Sequence, residues 1–516
     1  MTTAPHRSPA PPVRIGGPGT LPALLAHRAG AEPERAALIC GPHTLTFGAW
    51  YGRAMALAAG LLARGLEPGA RIVLRYGSGD WTAYAVAYCG VLRAGLVAVP
   101  LSDRQAPAVA AHVLADSGAS GLLHPAGGAP LPPGVLPDGV WAATEEEVEA
   151  EGAARTAVPR APDPTATAQI LYTSGTTGTP KGVTATHANL AHGCTLDERR
   201  RPLRHSRHFL HAFPVGTNAG QTMLVNALDS AATAVAAPQF TPGRFARLVE
   251  EYAVGSVFLV PSMAIELLNS GSARRYATDS VRLVGSTAAA LPQPVALGLA
   301  RAFDRAQIVN YYTSTEAAPA QVTLLFDPDR PDSPGRPASL SDLRITTADG
   351  TPLPPGEAGE VWLRSPAAPR AYLGPAGDAA DAGGGVFQGR WVRMGDLGRL
   401  DEEGYLHLLD RERDVVKSGA YKVSTLQVED ALHAHPQVVD AAAFGIPHPV
   451  LGSVVAAVAV VRGELTVPAL RTFLLDRLAA HELPARLLFR PSLPRNEGGK
   501  ILKRELRLLL DDEAPR

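Results

Sequence analysis

Between Tyr172 and Gly182 the chain reads Tyr-Thr-Ser-Gly-Thr-Thr-Gly-Thr-Pro-Lys-Gly, directly after the apolar run Gln169-Ile170-Leu171-Tyr172. Three glycines, five hydroxyls and one lysine at the end of a buried strand offer many donors and one cation to a small volume. Polyphosphate needs such a surface, because its oxygens accept several hydrogen bonds at once. Thr173, Ser174, Gly175, Thr176, Thr177, Gly178 and Lys181 are therefore candidate nucleotide contacts, and Thr173 is also a candidate catalytic group. A Walker-type loop is excluded by spelling: it requires Gly-Lys-Ser/Thr opening a helix, and here Pro180 precedes Lys181 and Gly182-Val183 follows it.

Three further constellations could act on a nucleotide. Asn310-Tyr311-Tyr312-Thr313-Ser314-Thr315-Glu316 follows a predicted strand. A tyrosine there can stack on a purine, and a glutamate four residues on can hold Mg²⁺, which favours carboxylate plus phosphate oxygens. Trp391 to Gly398 places Asp396 next to Gly395, and an Asp on a glycine turn can accept both hydroxyl protons of a ribose. Near the end, Leu493-Pro494-Arg495-Asn496-Glu497-Gly498-Gly499-Lys500 sets a lysine behind two glycines that give its loop reach. A cation brought to a phosphate under attack stabilises the transition state more than the ground state. Lys503 and Arg504 fit better as surface groups of a basic C-terminal helix.

Together these stretches resemble the adenylate-forming superfamily of acyl- and aryl-CoA synthetases, peptide-synthetase adenylation domains and luciferases, with matches from about residue 45 to 506. Leu92-Arg93-Ala94-Gly95, Gly335-Arg336-Pro337 and Gly356 to Glu360 add to the match. By that resemblance Tyr312 would be the adenine platform, with Tyr311, Thr287 and Ala288 also at the nucleotide. Thr315 would touch phosphate, Glu316 would ligate Mg²⁺, Asp396 would hold the ribose with help from Arg411, and Lys500 would catalyse adenylation. The acyl pocket would be lined by Phe213, Thr217, Asn218, Gly220, Gly285 and Thr313. Gly419 and Ala420 would border a thiol channel, and Arg413 would be the hinge of a mobile small domain.

The implied reaction uses ATP and Mg²⁺ to activate a small carboxylic acid, releases pyrophosphate, and passes the acyl group to CoA or to the phosphopantetheine of an acyl or peptidyl carrier protein. An amine acceptor, or an unusual oxyanion as substrate, is the alternative; a catalytically dead binding protein is disfavoured by intact Lys500, Glu316 and Asp396. Thr217 falls where CoA ligases carry His, and no Asp is present for an α-ammonium, which disfavours standard α-amino acids. Ala420 and Thr313 stand where glycine is usual and narrow the channel and the pocket. Small residues at Gly285 to Ala290 suit an aryl, branched or medium-chain acid.

Positioning such groups requires strands that end together. Runs at 71–74, 96–99, 256–260 and 307–310 predict buried parallel strands, alternating with helices over 47–62 and 294–303. This is an α/β layered large domain with mostly parallel sheets, whose ligands collect at strand C-termini. Short strands at 343–345, 360–364 and 405–408 predict a small β-subdomain, and 414–510 a small mobile α+β C-terminal domain. The expected divisions are a loose tail over 1–20, a large domain over 21–411 and a small domain over 412–516.

At 516 residues more than one core is required. Hydrophobic residues at 46%, charged residues at 19% and a net charge of −1 describe a globular chain with no field favouring nucleic acid. No apolar run approaches a membrane span, and three scattered cysteines, Cys40, Cys89 and Cys194, fit a cytoplasmic, reduced protein. The run Glu198 to Arg204 is expected to be a solvated helix face.

Overall fold

The computed structural model describes residues 17–128, 131–153, 160–173, 180–330, 333, 335–337, 342–374, 385–411, 414–419 and 421–512. Residues 1–16 of the expected tail, the loop 174–179, Arg413 and Ala420 lie outside that set. Two large sheets dominate the N-terminal part. One orders its strands Ala371–Tyr372, Lys181–Thr186, Thr167–Thr173, Val97–Ser102, Arg71–Tyr76, Ala119–His124 and Trp141–Thr144. The other runs from Arg336–Pro337 through Val322–Leu325, Gln307–Tyr312, Leu283–Ser286, Ser256–Leu259, His208–His211, Thr233–Ala236 and Ala36–Cys40 to His43–Thr46. It is parallel through its middle and antiparallel at both edges.

The central strands are buried on both faces, and Val97–Ser102 has no exposed position. That explains their unbroken apolar character, since a strand covered by helices above and below has no polar face to alternate with. Pro100 sits inside this strand. It registers with Leu74 on one side, whereas toward Thr167–Thr173 the pairing is confined to Ala98 and Gln169. A residue without an N–H donor is tolerated past the point where that ladder ends, and beyond it Ser102 is delivered to the crevice between the sheets.

Leu343–Thr346, Gly359–Arg364, Phe387–Gln388, Trp391–Leu400 and Leu406–Arg411 form a five-stranded sheet in which the ten-residue strand Trp391–Leu400 pairs with Gly359–Arg364 and Leu406–Arg411. The small domain packs helices on both faces of a second five-stranded sheet. Within Val438–His448, Ala441 and Ala443 face Val428, Leu432, Leu470 and Leu474, while Ala442 and Phe444 face Leu506 and Leu510. The period of two along the strand sorts these side chains to opposite faces.

Two expectations are corrected. The basic run at 198–204 is not one solvated face: Arg199 and Arg200 belong to an exposed 3-10 turn, but Arg201 is buried and donates to Glu32 at 2.5 Å. Glu32 gathers Arg28, Arg35 and Arg201, so the buried guanidinium is kept by a charge partner. The second concerns Asp396, described below. Cys40, Cys89 and Cys194 are buried thiols without disulfide partners. No helix among the described residues is long and apolar enough to cross a membrane.

Candidate active site

Asp396 was expected on a glycine turn; it lies instead inside Trp391–Leu400, registered with Arg411 of the neighbouring strand. Gly395, at φ 71°, lets the strand kink without breaking it, which the local spelling does not reveal. The kink turns the Asp396 carboxylate onto the end of Gln307–Tyr312. There Tyr312 donates its phenol proton to Asp396 Oδ2 at 2.6 Å, and Arg411 Nε lies 3.4 Å from Oδ1. Burial and the adjacent Asp396 charge push the Tyr312 phenol well above its ordinary range, so it stays a donor.

The neighbouring Tyr311 points to the other side, as strand geometry requires. Its ring packs 6.1 Å from that of Phe258, and burial raises its phenol to about 12. Gly285 makes this possible. A Cβ there would lie 2.6 Å from the Tyr311 ring and 2.8 Å from the Phe258 ring. We expect Gly285→Ala to destabilise the chain by about 1–3 kcal/mol through overpacking, and to change the set of acids accepted. Thermal unfolding and an acid panel read the two effects.

Thr287 donates to the Tyr311 carbonyl at 3.4 Å, and Ala288 adopts a left-handed φ of 73°. A non-glycine residue held there costs about 1–3 kcal/mol, and such strain clusters at ligand sites.

The end of the crevice around Lys181 and Glu316 is tied together by residues that sequence reasoning missed. Thr173 and Lys181 pair across two antiparallel strands and so hold the two ends of the Gly/Ser/Thr loop together; Ser174, Gly175, Thr176, Thr177 and Gly178 themselves are outside the described residues. Lys181 Nζ stands 5.3 Å from the ring centre of Tyr372, and the Tyr372 hydroxyl donates to Glu316 at 3.1 Å. Arg370, two residues earlier, is buried. It donates to Asn189 Oδ1 at 3.1 Å, to the Thr315 carbonyl at 3.0 Å and to Asn218 Oδ1 at 3.4 Å. Burial lowers its pKa to about 10, so it remains charged at neutral pH, with no carboxylate at ion-pair distance among the described residues. Ala371–Tyr372 is a two-residue strand, too short for any periodicity to announce it.

Among the described residues no cluster of three acidic, His or Cys side chains could cage a metal. A single carboxylate, Glu316, linked through Tyr372 to the neighbourhood of Lys181, fits Mg²⁺ instead, because that ion keeps its waters and would take much of its shell from substrate phosphates.

At the acyl end, Thr217 is the N-cap of helix Asn218–Asp229: its hydroxyl accepts from Gly220 N at 3.0 Å and donates to the Pro214 carbonyl at 2.9 Å. Phe213 is a core residue, 1% exposed and packed against His211. Burial drives His211 down to about 3, so it is a neutral ring and no general base. The Thr313 hydroxyl is engaged by the Ala320 carbonyl at 2.6 Å.

The small domain reaches this crevice with a hairpin. Arg495 bridges Ile501, Asn496 N donates to the Lys500 carbonyl at 2.9 Å, and Lys500 N donates to Asn496 Oδ1 at 2.9 Å. The hairpin tip lies on the large domain: a Cβ on Gly498 would be 3.9 Å from Thr217 Cγ2, and one on Gly499 would be 2.8 Å from Val260 Cγ2. Thr217 adjoins Asn218, whose side chain accepts from Arg370, and Arg370 also donates to the Thr315 carbonyl, so the hairpin that carries Lys500 is seated close to the segment that ends in Glu316. Gly419, by contrast, is exposed and bonded to Leu451 within the small domain. This is the arrangement in which the Lys500 hairpin is in and the Gly419 loop is out. Ala420 and Arg413, the latter expected as a hinge, are outside the described residues. A second junction forms where Asp430 accepts the backbone N–H of Gln293, the first residue of helix Gln293–Ala302; burial raises its carboxyl to about 7.

The chain matches the family model "AMP-binding enzyme" over residues 25–373 and "AMP-binding enzyme C-terminal domain" over 427–500. A feruloyl-CoA synthase from Amycolatopsis is 31% identical over 505 residues, covering 96% of this chain and 99% of the relative. The FadD13 long-chain-fatty-acid–CoA ligase of Mycobacterium tuberculosis is 28% identical over 94% of this chain and 97% of its own. Among solved structures, Bacillus subtilis o-succinylbenzoate CoA synthetase with its acyl-adenylate matches with a TM-score of 0.79 at 25% identity, covering 96% and 98% of the two chains. Anthranilate CoA ligase AuaEII matches the fold with a TM-score of 0.84 at 22% identity, covering 96% and 98%. With this fold, these strand-end groups and a lysine hairpin closing on them, the chain belongs to the AMP-binding enzymes of the adenylate-forming superfamily, the acid–thiol ligases.

Proposed function

We propose that the chain joins an aryl carboxylic acid to the thiol of CoA through an acyl-adenylate, with the site residues in the roles that follow. The observation that carries this reading is the seating of the 495–501 hairpin on Thr217 and Val260, which supports Lys500 as the cation that closes on a crevice lined by Tyr312, Asp396 and Glu316. Tyr312 carries the adenine and Asp396, backed by Arg411, takes the ribose hydroxyls. The Thr173–Lys181 loop and Lys181 receive the β- and γ-phosphates. Glu316 is the carboxylate that would hold Mg²⁺, which supplies charge neutralisation between phosphates.

In the first half-reaction a carboxylate oxygen of the acid attacks the α-phosphorus of ATP, the bond to the bridging oxygen breaks, and pyrophosphate leaves. Lys500 meets the negative charge that builds during this exchange. Such preorganised donors cost no reorganisation at the moment of reaction. In the second, the thiol sulfur attacks the acyl carbon, AMP departs with its oxygen, and the thiol proton passes to solvent. The pyrophosphate leaving group that Lys500 serves is gone by then, and charge builds instead on the acyl oxygen and the departing AMP, so the hairpin can leave and the 415–424 loop can take its place, with a swivel near Arg413.

The aryl class is supported by the wall of Tyr311 and Phe258 over Gly285 and by the feruloyl-CoA synthase relative. CoA as acceptor is supported by the CoA ligases among the relatives; a carrier protein is the competing acceptor. The test is adenylation over an acid panel, followed by CoA or phosphopantetheinylated carrier protein. Cinnamic- and benzoic-type acids are expected to give acyl-CoA; activity confined to aliphatic acids, or transfer to carrier protein alone, defeats the reading.

A further inference from the structure

The tip of the Lys500 hairpin carries a carboxylate that the adenylation chemistry does not use. Glu497 accepts a hydrogen bond from Ser102 Oγ at 2.9 Å through one oxygen and from Gln105 Nε2 at 3.0 Å through the other. Both partners belong to the large domain, at the end of Val97–Ser102 and in the turn that follows. Glu497 itself is in the small domain, three residues before Lys500. Burial at the junction pushes its carboxyl above the ordinary range. The rest of the hairpin is held from behind within its own domain: Arg495 donates to the Gly499 carbonyl and to Asp440 Oδ2, both at 2.5 Å, and Gly499 takes the left-handed φ of 79° that closes the turn. The hairpin is thus a stiff unit. At its tip, the Glu497 side chain hydrogen-bonds the large domain.

We infer that Glu497 is a positioning residue: by bonding Ser102 and Gln105 it seats the Lys500 hairpin on the large domain for the first half-reaction and is released in the second. This rests on the proposed role of Lys500. A stiff hairpin pivoting from the small domain can hold Lys500 at the α-phosphate only if its tip is anchored, because a displacement of 1 Å at a reacting centre can cost about a hundredfold. Two bonds to a charged acceptor favour the seated state, and they are made only there. A contact present in one conformer shifts the equilibrium between conformers by the free energy of that contact. Removing it therefore costs adenylation and spares or speeds thiolation, a split that general destabilisation does not produce.

The experiment measures both half-reactions on the full chain with an acid that the wild type activates. Glu497→Ala is expected to lower ATP–pyrophosphate exchange by about ten- to a hundredfold, from two lost charged hydrogen bonds. CoA-dependent turnover of supplied acyl-adenylate should be unchanged or faster. Glu497→Gln, which keeps one acceptor and can pair with a rotated Gln105 amide, should recover most of the exchange. Ser102→Ala combined with Gln105→Ala should reproduce the alanine phenotype from the other side of the junction. Equal loss in both half-reactions, wild-type exchange in Glu497→Ala, or a double variant without effect overturns the inference. Failure of the underlying reading looks different: Lys500→Ala then retains exchange whatever Glu497 does.

Discussion

Lys500→Ala is expected to reduce acid-dependent ATP–pyrophosphate exchange by about a hundred- to a thousandfold, the loss typical of deleting one preorganised donor at a developing charge. Thioester formation from supplied acyl-adenylate should stay within about twofold. The asymmetry follows from geometry. The hairpin Arg495–Ile501 is seated on Thr217 and Val260, and the bonds from Asn496 fix the backbone at Lys500 on both its N–H and its carbonyl. The alanine variant keeps those backbone bonds, so the hairpin still docks and only the cation is missing. Lys500→Arg should recover little, because a planar guanidinium does not reproduce a compact ammonium at a bridging oxygen. Equal loss in both half-reactions would move the lysine from chemistry to architecture.

How much of this was readable beforehand differs by element. The strands that deliver the crevice were legible because both faces are covered. Ser256–Leu259 and Gln307–Tyr312 are dense apolar runs that start at the predicted residues. The lysine hairpin was legible because its spelling is unusual and close to the chain end. What sequence could not supply was contact across long separations. Arg370 meets Asn189 and Asn218, and Glu497 meets Ser102, across intervals of 152 residues or more; nothing local marks either residue. Asp396 was read as a turn residue and lies instead within a strand, since a positive-φ glycine inside a strand is spelled like a glycine in a turn. Thr217 was read as a pocket residue where the fold also uses its hydroxyl as a helix cap, a role that needs only Ser, Thr, Asp or Asn before a helix and so carries no functional mark.

The second large effect concerns the nucleotide. Asp396 rests at present on two neighbours, Tyr312 at 2.6 Å and Arg411 at 3.4 Å, and is mostly buried at 14% exposure. Ribose hydroxyls would enter a site where a carboxylate is already oriented, with its charge balanced from behind by Arg411. Each charged hydrogen bond contributes about 1.5–3 kcal/mol, but the phenol bond of Tyr312 must be shared or exchanged, which offsets part of the gain. A net of about 2–3 kcal/mol corresponds to roughly 30- to 150-fold in kcat/KM for ATP, and this is the loss expected for Asp396→Ala. A purely structural role would predict the same loss for every nucleotide. The ribose role predicts that the wild type discriminates against 2′,3′-dideoxy-ATP by a similar factor and that Asp396→Ala barely discriminates at all, because removing either partner removes the same interaction. Tyr312→Phe isolates the phenol: it deletes the bond to Asp396 while keeping the ring, so adenine stacking survives and ribose discrimination should persist. Discrimination that survives undiminished in Asp396→Ala would take the ribose away from this carboxylate and leave the strand kink at Gly395 without a ligand to serve.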